Sequence, residues 1–329
     1  MKLKMFFLIF LIILLAFACY LFLGKGKPAE SIVFGANFSQ KQAQALGLDW
    51  QEAYSALIDD LKVKDIKIAT YWDLIEPEEG ENDFEDLDWQ MEKAEKNNVR
   101  VLLVVGMRSP RWPECHVPDW AENLGKKEQQ AKILKYLEKI VSRYKDSESV
   151  WAWQVENEPF FPFGECQWSD TDFLKKEISL VRSLDPKNRQ IIITDSGEGS
   201  FWVAAARLGD VVGTTWYKKV WFHQVAKYIT YPFPSVFYAR KAKIIESLFK
   251  KEVICVEMQA EPWGKTALLQ TVPLEEQEIT MNLEQFKKNI ESIKETGFGK
   301  VYLWGAEWWY WMKEKKEKPE IWEEARKLF

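Results

Sequence analysis

Short apolar runs alternate with longer amphipathic ones along almost the whole chain. Eight short runs stand out: SIVFGANF (31–38), DIKIATYW (65–72), RVLLVVGM (100–107), VWAWQVEN (150–157), QIIITDSG (190–197), DVVGTTWY (210–217), EVICVEMQ (252–259) and KVYLWGAE (300–307). Most are unbroken β-branched or aromatic stretches, the pattern of strands covered on both faces in a parallel sheet. Between them, helical spacing predicts helices over 50–61, 87–97, 127–144, 170–184, 201–208, 235–249, 283–296 and 319–328. In the third of these, Ile133, Leu134, Leu137, Ile140 and Val141 form a single stripe. Eight strand-then-helix units without interruption predict an α/β fold of the closed (β/α)8, or TIM-barrel, kind. A doubly wound open sheet is the alternative, but no G-x-G-x-x-G follows any strand.

One run breaks the alternation. From Met5 to Leu23 every residue is apolar, with Lys2 and Lys4 before and Lys25 and Lys27 after. At 1.5 Å per residue this run spans about 28 Å, close to the hydrocarbon thickness of a bilayer. It is longer than the apolar core of a cleaved signal peptide. The expected organisation is an N-terminal transmembrane anchor with a short linker over 1–30 and one barrel domain over 31–329. The lipid bilayer is thus an expected partner through residues 5–23, with the barrel outside the cytoplasm. Cleavage of the segment as a signal, leaving a secreted barrel, and lipidation at Cys19 are the alternatives.

Composition narrows the chemistry. Net charge is -5 with both signs interspersed, which leaves no basic stripe for nucleic acid. There are 17 Trp, 20 Phe and 11 Tyr, more than a core of this size needs, so some belong to a binding surface. Only His116 and His223 are histidines, so no HxH or HExxH pair exists and a metal centre is not expected. No phosphate-binding glycine loop is present, which excludes a nucleotide, and no cofactor of any kind is expected. A Ser-His-Asp hydrolase would need a nucleophile elbow, and DSGEGS at 195–200 is only superficially similar. Of the four cysteines, Cys19 lies in the apolar run and Cys255 in a strand. Cys115 and Cys166 fall in loop-like sequence and are the one sensible disulfide pair, a bond that would persist outside the cytoplasm, with two unpaired loop thiols as the alternative.

A barrel of this kind carries its chemistry at the C-terminal ends of its strands. Those ends offer Asn37, Tyr71, Trp72, Asp73, Arg108, Asn157, Glu158, Asp195, Trp216, Tyr217, Glu257, Glu261, Trp304 and Glu307, an inventory rich in carboxylates and aromatics. Two carboxyls facing each other across a pocket suit glycosidic bond cleavage, one as acid and one as nucleophile. Runs four and seven lie on opposite sides of an eight-membered ring, so Glu158 and Glu257 are the expected pair. Glu257 is preferred to Glu261 because it directly ends its apolar run, and Glu156 is read as a supporting acid. Trp304, Trp308, Trp309, Trp112, Trp168 and Tyr217 are candidate sugar-stacking faces.

WQVENEP, VICVEMQAEPW and VYLWGAEWW, with the long stretch from YWDLIEPEEG to RVLLVVG, resemble the retaining (β/α)8 glycoside hydrolases of clan A, which include cellulase-like and β-galactosidase-like families. The resemblance covers roughly residues 34–311. It implies double displacement through a covalent glycosyl-enzyme, with Glu158 as acid/base, Glu257 as nucleophile and Asn157 on the sugar 2-hydroxyl. Tyr217 would orient the nucleophile and Trp304 would be the sugar platform, with Trp72, Arg108, Glu307 and Trp308 as further substrate contacts. The chain departs from the pattern in two ways. Many clan members carry an arginine near the end of strand two, where this chain has IKIATYW and Lys67 as the nearest cation, so nucleophile support must differ or come from Arg108. Histidines are also scarcer than around the reacting sugar in many members. A barrel that binds carbohydrate at the cell surface without cleaving it is the alternative function.

Overall fold

The computed structural model describes residues 2–266 and 268–329. Eight strands form a closed parallel barrel: β1 (Val33–Phe38), β2 (Asp65–Ala69), β3 (Arg100–Val105), β4 (Val150–Val155), β5 (Gln190–Asp195), β6 (Val211–Trp216), β7 (Glu252–Gln259) and β8 (Lys300–Trp304). Each pairs with its neighbours in sequence, and β8 closes on β1 with Lys300 opposite Val33. Inside the ring Leu102, Ala152, Ile192, Ile254, Val256 and Tyr302 form the filling layer. A larger apolar shell lies between strands and helices, fed by stripes such as Ile133, Leu137, Ile140 and Val141. Both faces of every strand are therefore covered, which is why the runs are apolar throughout.

Where the runs stop, the backbone explains it. β2 ends at Ala69 because the Thr70 amide and hydroxyl both bond the Val104 carbonyl and Tyr71 opens a one-turn helix, Trp72–Ile75. Trp72 therefore faces away from the barrel mouth: it is fully buried between Trp120 and Tyr136 and donates its indole N–H to Glu76. The expected substrate contact by Trp72 is thus corrected to a packing role. β8 ends at Trp304 because Gly305, at φ 130°, turns straight into helix Ala306–Lys316. A Cβ at Gly305 would lie 2.4 Å from that of Glu261, so only glycine fits.

That helix was not predicted, because Trp308, Trp309, Trp311 and Met312 make its sequence apolar without a visible period. All four are buried. Trp308 donates to Gln277 (2.7 Å) and Trp309 to the Ala260 carbonyl (2.7 Å), so the expected sugar contact by Trp308 is corrected to core packing with a satisfied indole. A two-stranded hairpin, Lys219–Phe222 with Lys227–Thr230, was also missed; it stands on the loop after β6.

The N-terminal helix, Lys2–Phe22, is long and apolar enough over Lys4–Phe22 to cross a bilayer, and most of it is exposed. Its end is docked: Leu21 is buried, Phe22 packs on Phe237 (5.1 Å) and Phe233, and Tyr20 lies under Arg240. Cys115 and Cys166 form a disulfide, joining the loops after β3 and β4, while Cys255 is buried and unpaired. Closing a loop of this size stabilises the fold by about 2–4 kcal/mol.

Candidate active site

The turn that ends β4 places two glutamates in the left-handed region, Glu156 at φ 60° and Glu158 at φ 41°. Such backbone costs on the order of 1–3 kcal/mol per residue and persists only where the surroundings impose it. Glu156 imposes it from one side. Its carboxyl accepts the amides of Met107 (2.8 Å) and Arg108 (2.7 Å) and lies beside the buried Glu177, whose carboxyl is pushed well up by burial and by Glu156. Glu156 thus fastens the loop after β3 to β4, the supporting role expected of it.

Glu158 faces the inside of the ring. Its amide donates to Thr194 on β5 (2.7 Å) and its carboxyl accepts from Thr215 on β6 (3.3 Å). Burial raises its pKa well above the ordinary range, and the charges of Glu257 and Glu114 add to that. Glu257 arrives from β7, ion-paired with Lys67 on β2 (2.7 Å) and accepting the Tyr217 hydroxyl (3.0 Å). Thr215 is the register partner of Glu257 across the β6–β7 ladder, so both carboxyls lie against one strand. Tyr217, two residues beyond Thr215, lies on the same face of that strand. Lys67 is almost fully buried and supplies the cation that sequence comparison left open.

Arg108 does not reach Glu257. Its guanidinium donates to the carbonyls of Asn157, Phe161 and Phe163, and it is buried, so the expected substrate contact is corrected to a brace for the loop after β4. Asn157 accepts from Gln154 (3.0 Å) and donates to Glu114 (3.0 Å). Glu114 is a third buried carboxyl here; burial and the Glu257 charge push its pKa to about 8. A half-buried fourth, Glu198 after β5, accepts from the Tyr217 amide and the Tyr238 hydroxyl, and desolvation pushes it to about 7. Neither was singled out from sequence, since both lie in loops; for Glu114 the available signal was its position beside the disulfide cysteine.

Trp304 lines the site at the end of β8, with the Arg111 guanidinium 4.0 Å from its ring centre. Arg111 is paired with Glu261 through two nitrogens and with Glu307 (3.0 Å). Glu307 also accepts the Ser39 amide and is pushed to about 7 by burial. His116 is buried beneath this loop, its pKa pushed down to about 3 by burial and the nearby Lys41, so it is neutral at ordinary pH. A groove of 530 Å³ between the hairpin and helix Leu283–Lys294, bordered by Lys218, Glu284 and Lys288, lies apart from the paired carboxyls. Two acids against one strand, one with its pKa raised by burial and the other ion-paired with Lys67, can deliver a proton and a nucleophile to the same small ligand.

Comparison with known proteins places the chain in a family. Residues 27–245 match the model of the cellulase family, glycosyl hydrolase family 5. Curated relatives include mannan endo-1,4-beta-mannosidase F of Aspergillus clavatus, 26% identical over 132 residues, covering 36% of this chain and 28% of that protein. Mannan endo-1,4-beta-mannosidase A of the same fungus, named as probable, is 30% identical over 131 residues, 36% of this chain and 35% of its own length. The chain thus spans about a third of the curated relatives it matches. Among solved structures, the GH5_18 protein of Bifidobacterium longum superposes with a TM-score of 0.59 at 12% identity, covering 84% of this chain and 70% of that one. A β-galactosidase of Halorubrum lacusprofundi gives 0.56 at 14%, covering 83% and 52%, which shows the shared barrel. With two thirds of its residues in the matched segment, Glu158 among them, the chain belongs to glycosyl hydrolase family 5.

Proposed function

We propose that the chain is a retaining glycoside hydrolase acting on β-linked oligo- or polysaccharides, with the barrel of residues 31–329 as its catalytic domain. The observation that carries this reading is the asymmetry of the two carboxyls set against β6. Glu257 is held by a lysine and a tyrosine hydroxyl, as a nucleophile must be, while Glu158 is buried beside other acids, as a proton donor must be. Glu257 attacks the anomeric carbon as the Glu158 proton passes to the departing oxygen. Glu158 then takes a proton from the water that breaks the glycosyl–Glu257 bond and releases the sugar. Asn157 binds the sugar 2-hydroxyl with its remaining N–H, and Trp304, capped by Arg111, borders the sugar at the end of β8. The mannanase relatives make β-1,4-mannan the first polymer to test. The apolar helix and the Cys115–Cys166 bond support a domain outside the cytoplasm, tethered through residues 5–23. Proton NMR of the first product formed is the test: the initial anomer keeps the configuration of the substrate, and its inversion would remove Glu257 as nucleophile.

A further inference from the structure

We propose that Arg111 walls off the non-reducing side of the bound sugar, so that the enzyme removes single residues from that end of a chain and does not cut within it. This rests on the glycosidase reading above and adds where on the chain the cut is made.

The loop after β3 does not stay beside its own strand. It crosses the mouth to the opposite side of the ring, where Arg111 pairs with Glu261 beyond β7 and with Glu307 beyond β8. Its backbone is forced to φ 92° at Arg111 and φ 72° at Glu114, so that two neighbouring turns aim both side chains inward. The loop after β4 crosses as well. Phe163 meets Trp263, from the loop after β7, at 6.0 Å, and Trp112 at 5.9 Å. The Cys115–Cys166 bond ties the two crossing segments together. Beneath them both carboxyls are buried, Glu158 at 9% and Glu257 at 3% exposure, so the crossing loops cover the reacting groups.

Direction follows from the acid. Glu158 is anchored on β5 and β6 through Thr194 and Thr215, so the leaving group departs toward that side. The far end of the attacked ring then points toward β8 and the crossing loop, where the Arg111 guanidinium sits 4.0 Å from the centre of the Trp304 ring. A second sugar on that side would need the volume Arg111 occupies. Arg111 also keeps one buried N–H, at Nε, without a partner, which suits the terminal hydroxyl of the last sugar.

The test uses the full chain with a ladder of β-1,4-linked manno- and gluco-oligosaccharides and the matching polysaccharides. Expected are monosaccharide release from the first time point and polymer viscosity that holds while reducing ends accumulate. The Arg111→Ala variant is expected to release disaccharide as well. Binding is read separately with the Glu158→Gln protein: oligosaccharides capped on the terminal sugar by a 4,6-O-benzylidene group bind about 100-fold more weakly than uncapped ones. Early products from internal cuts, or equal binding of capped and uncapped ligands, overturn the wall while leaving the glycosidase reading intact. If no sugar of the panel is bound or cleaved, both fall together.

Discussion

The two ends of the barrel treat buried charge in opposite ways. At the end where the strands begin, Asp65 is buried and fully answered: Lys300 lies at 2.7 Å, Arg100 at 3.0 Å, and the Tyr302 hydroxyl is also in reach. Trp151 completes that layer by donating to Tyr302 and lying under Lys300. At the end where the strands finish, Lys67 pairs with Glu257, while Glu114, Glu158 and Glu198 crowd nearby without an ion pair of their own among the described residues. The first arrangement neutralises charge and holds strands in place. The second leaves charge unneutralised, so protons must stay on some of the acids. Paired charge thus holds one end of the barrel, and unpaired acids crowd the other.

The sharpest way to separate the ends is to remove one acid from each. Glu158→Gln and Glu257→Gln are each expected to lower kcat by about 10²–10⁴-fold on a substrate with a poor leaving group. Glu158→Gln keeps or gains thermal stability at neutral pH, because a neutral amide replaces a buried acid among like charges. Glu257→Gln loses stability, since Lys67 is left without its counter-ion. Asp65→Asn does the reverse of Glu158→Gln. Denaturant melts should show a loss of about 2–3 kcal/mol, moderated because Arg100 is half exposed, with kcat/KM close to that of the parent.

Titration sharpens the same contrast. Glu114 is raised to about 8, and Glu198 and Glu307 to about 7, each from an ordinary 4.5. The folded chain therefore holds protons that the unfolded chain releases. The stability this gives is complete below pH 4.5 and is lost as pH rises through 7 to 8. Glu114→Gln removes one such group, so its advantage over the parent grows across that window to on the order of 1–3 kcal/mol, read from melting curves at a series of pH values. The smallest effect concerns the helix after β8: Trp308→Phe forfeits one buried hydrogen bond and is expected to cost about 1–2 kcal/mol with catalysis unchanged. A large loss in kcat/KM there would return Trp308 to the substrate.

Strands were readable because a parallel barrel buries both faces, so each strand is a bare apolar word between helical ones. The turn at the end of β4 was readable because acids are out of place at the end of such a word. What escaped was everything that depends on loops crossing the mouth. Nothing local in RWPECHVP tells that Arg111 reaches Trp304 or that Glu114 reaches Asn157, because both contacts join positions distant in the chain. The same holds for Lys67, which sits in an apolar run as if misplaced until Glu257 is brought to it across the ring. Trp72 and Trp308 misled for the converse reason. A tryptophan at a strand end looks like a sugar platform, but one turn of helix is enough to swing it into the shell.

The central claim, that Glu257 forms a bond to the sugar while Glu158 moves the proton, is tested most directly by trapping that bond. The protein is incubated with an activated 2-deoxy-2-fluoro-glycoside of a sugar it accepts, then digested and its peptides are weighed. The account predicts one fluoroglycosyl adduct, on the peptide that carries Glu257, formed alongside loss of activity. An adduct on Glu158, Glu114 or Glu261 instead, or inactivation of a Glu257→Gln protein by the same reagent, would contradict it.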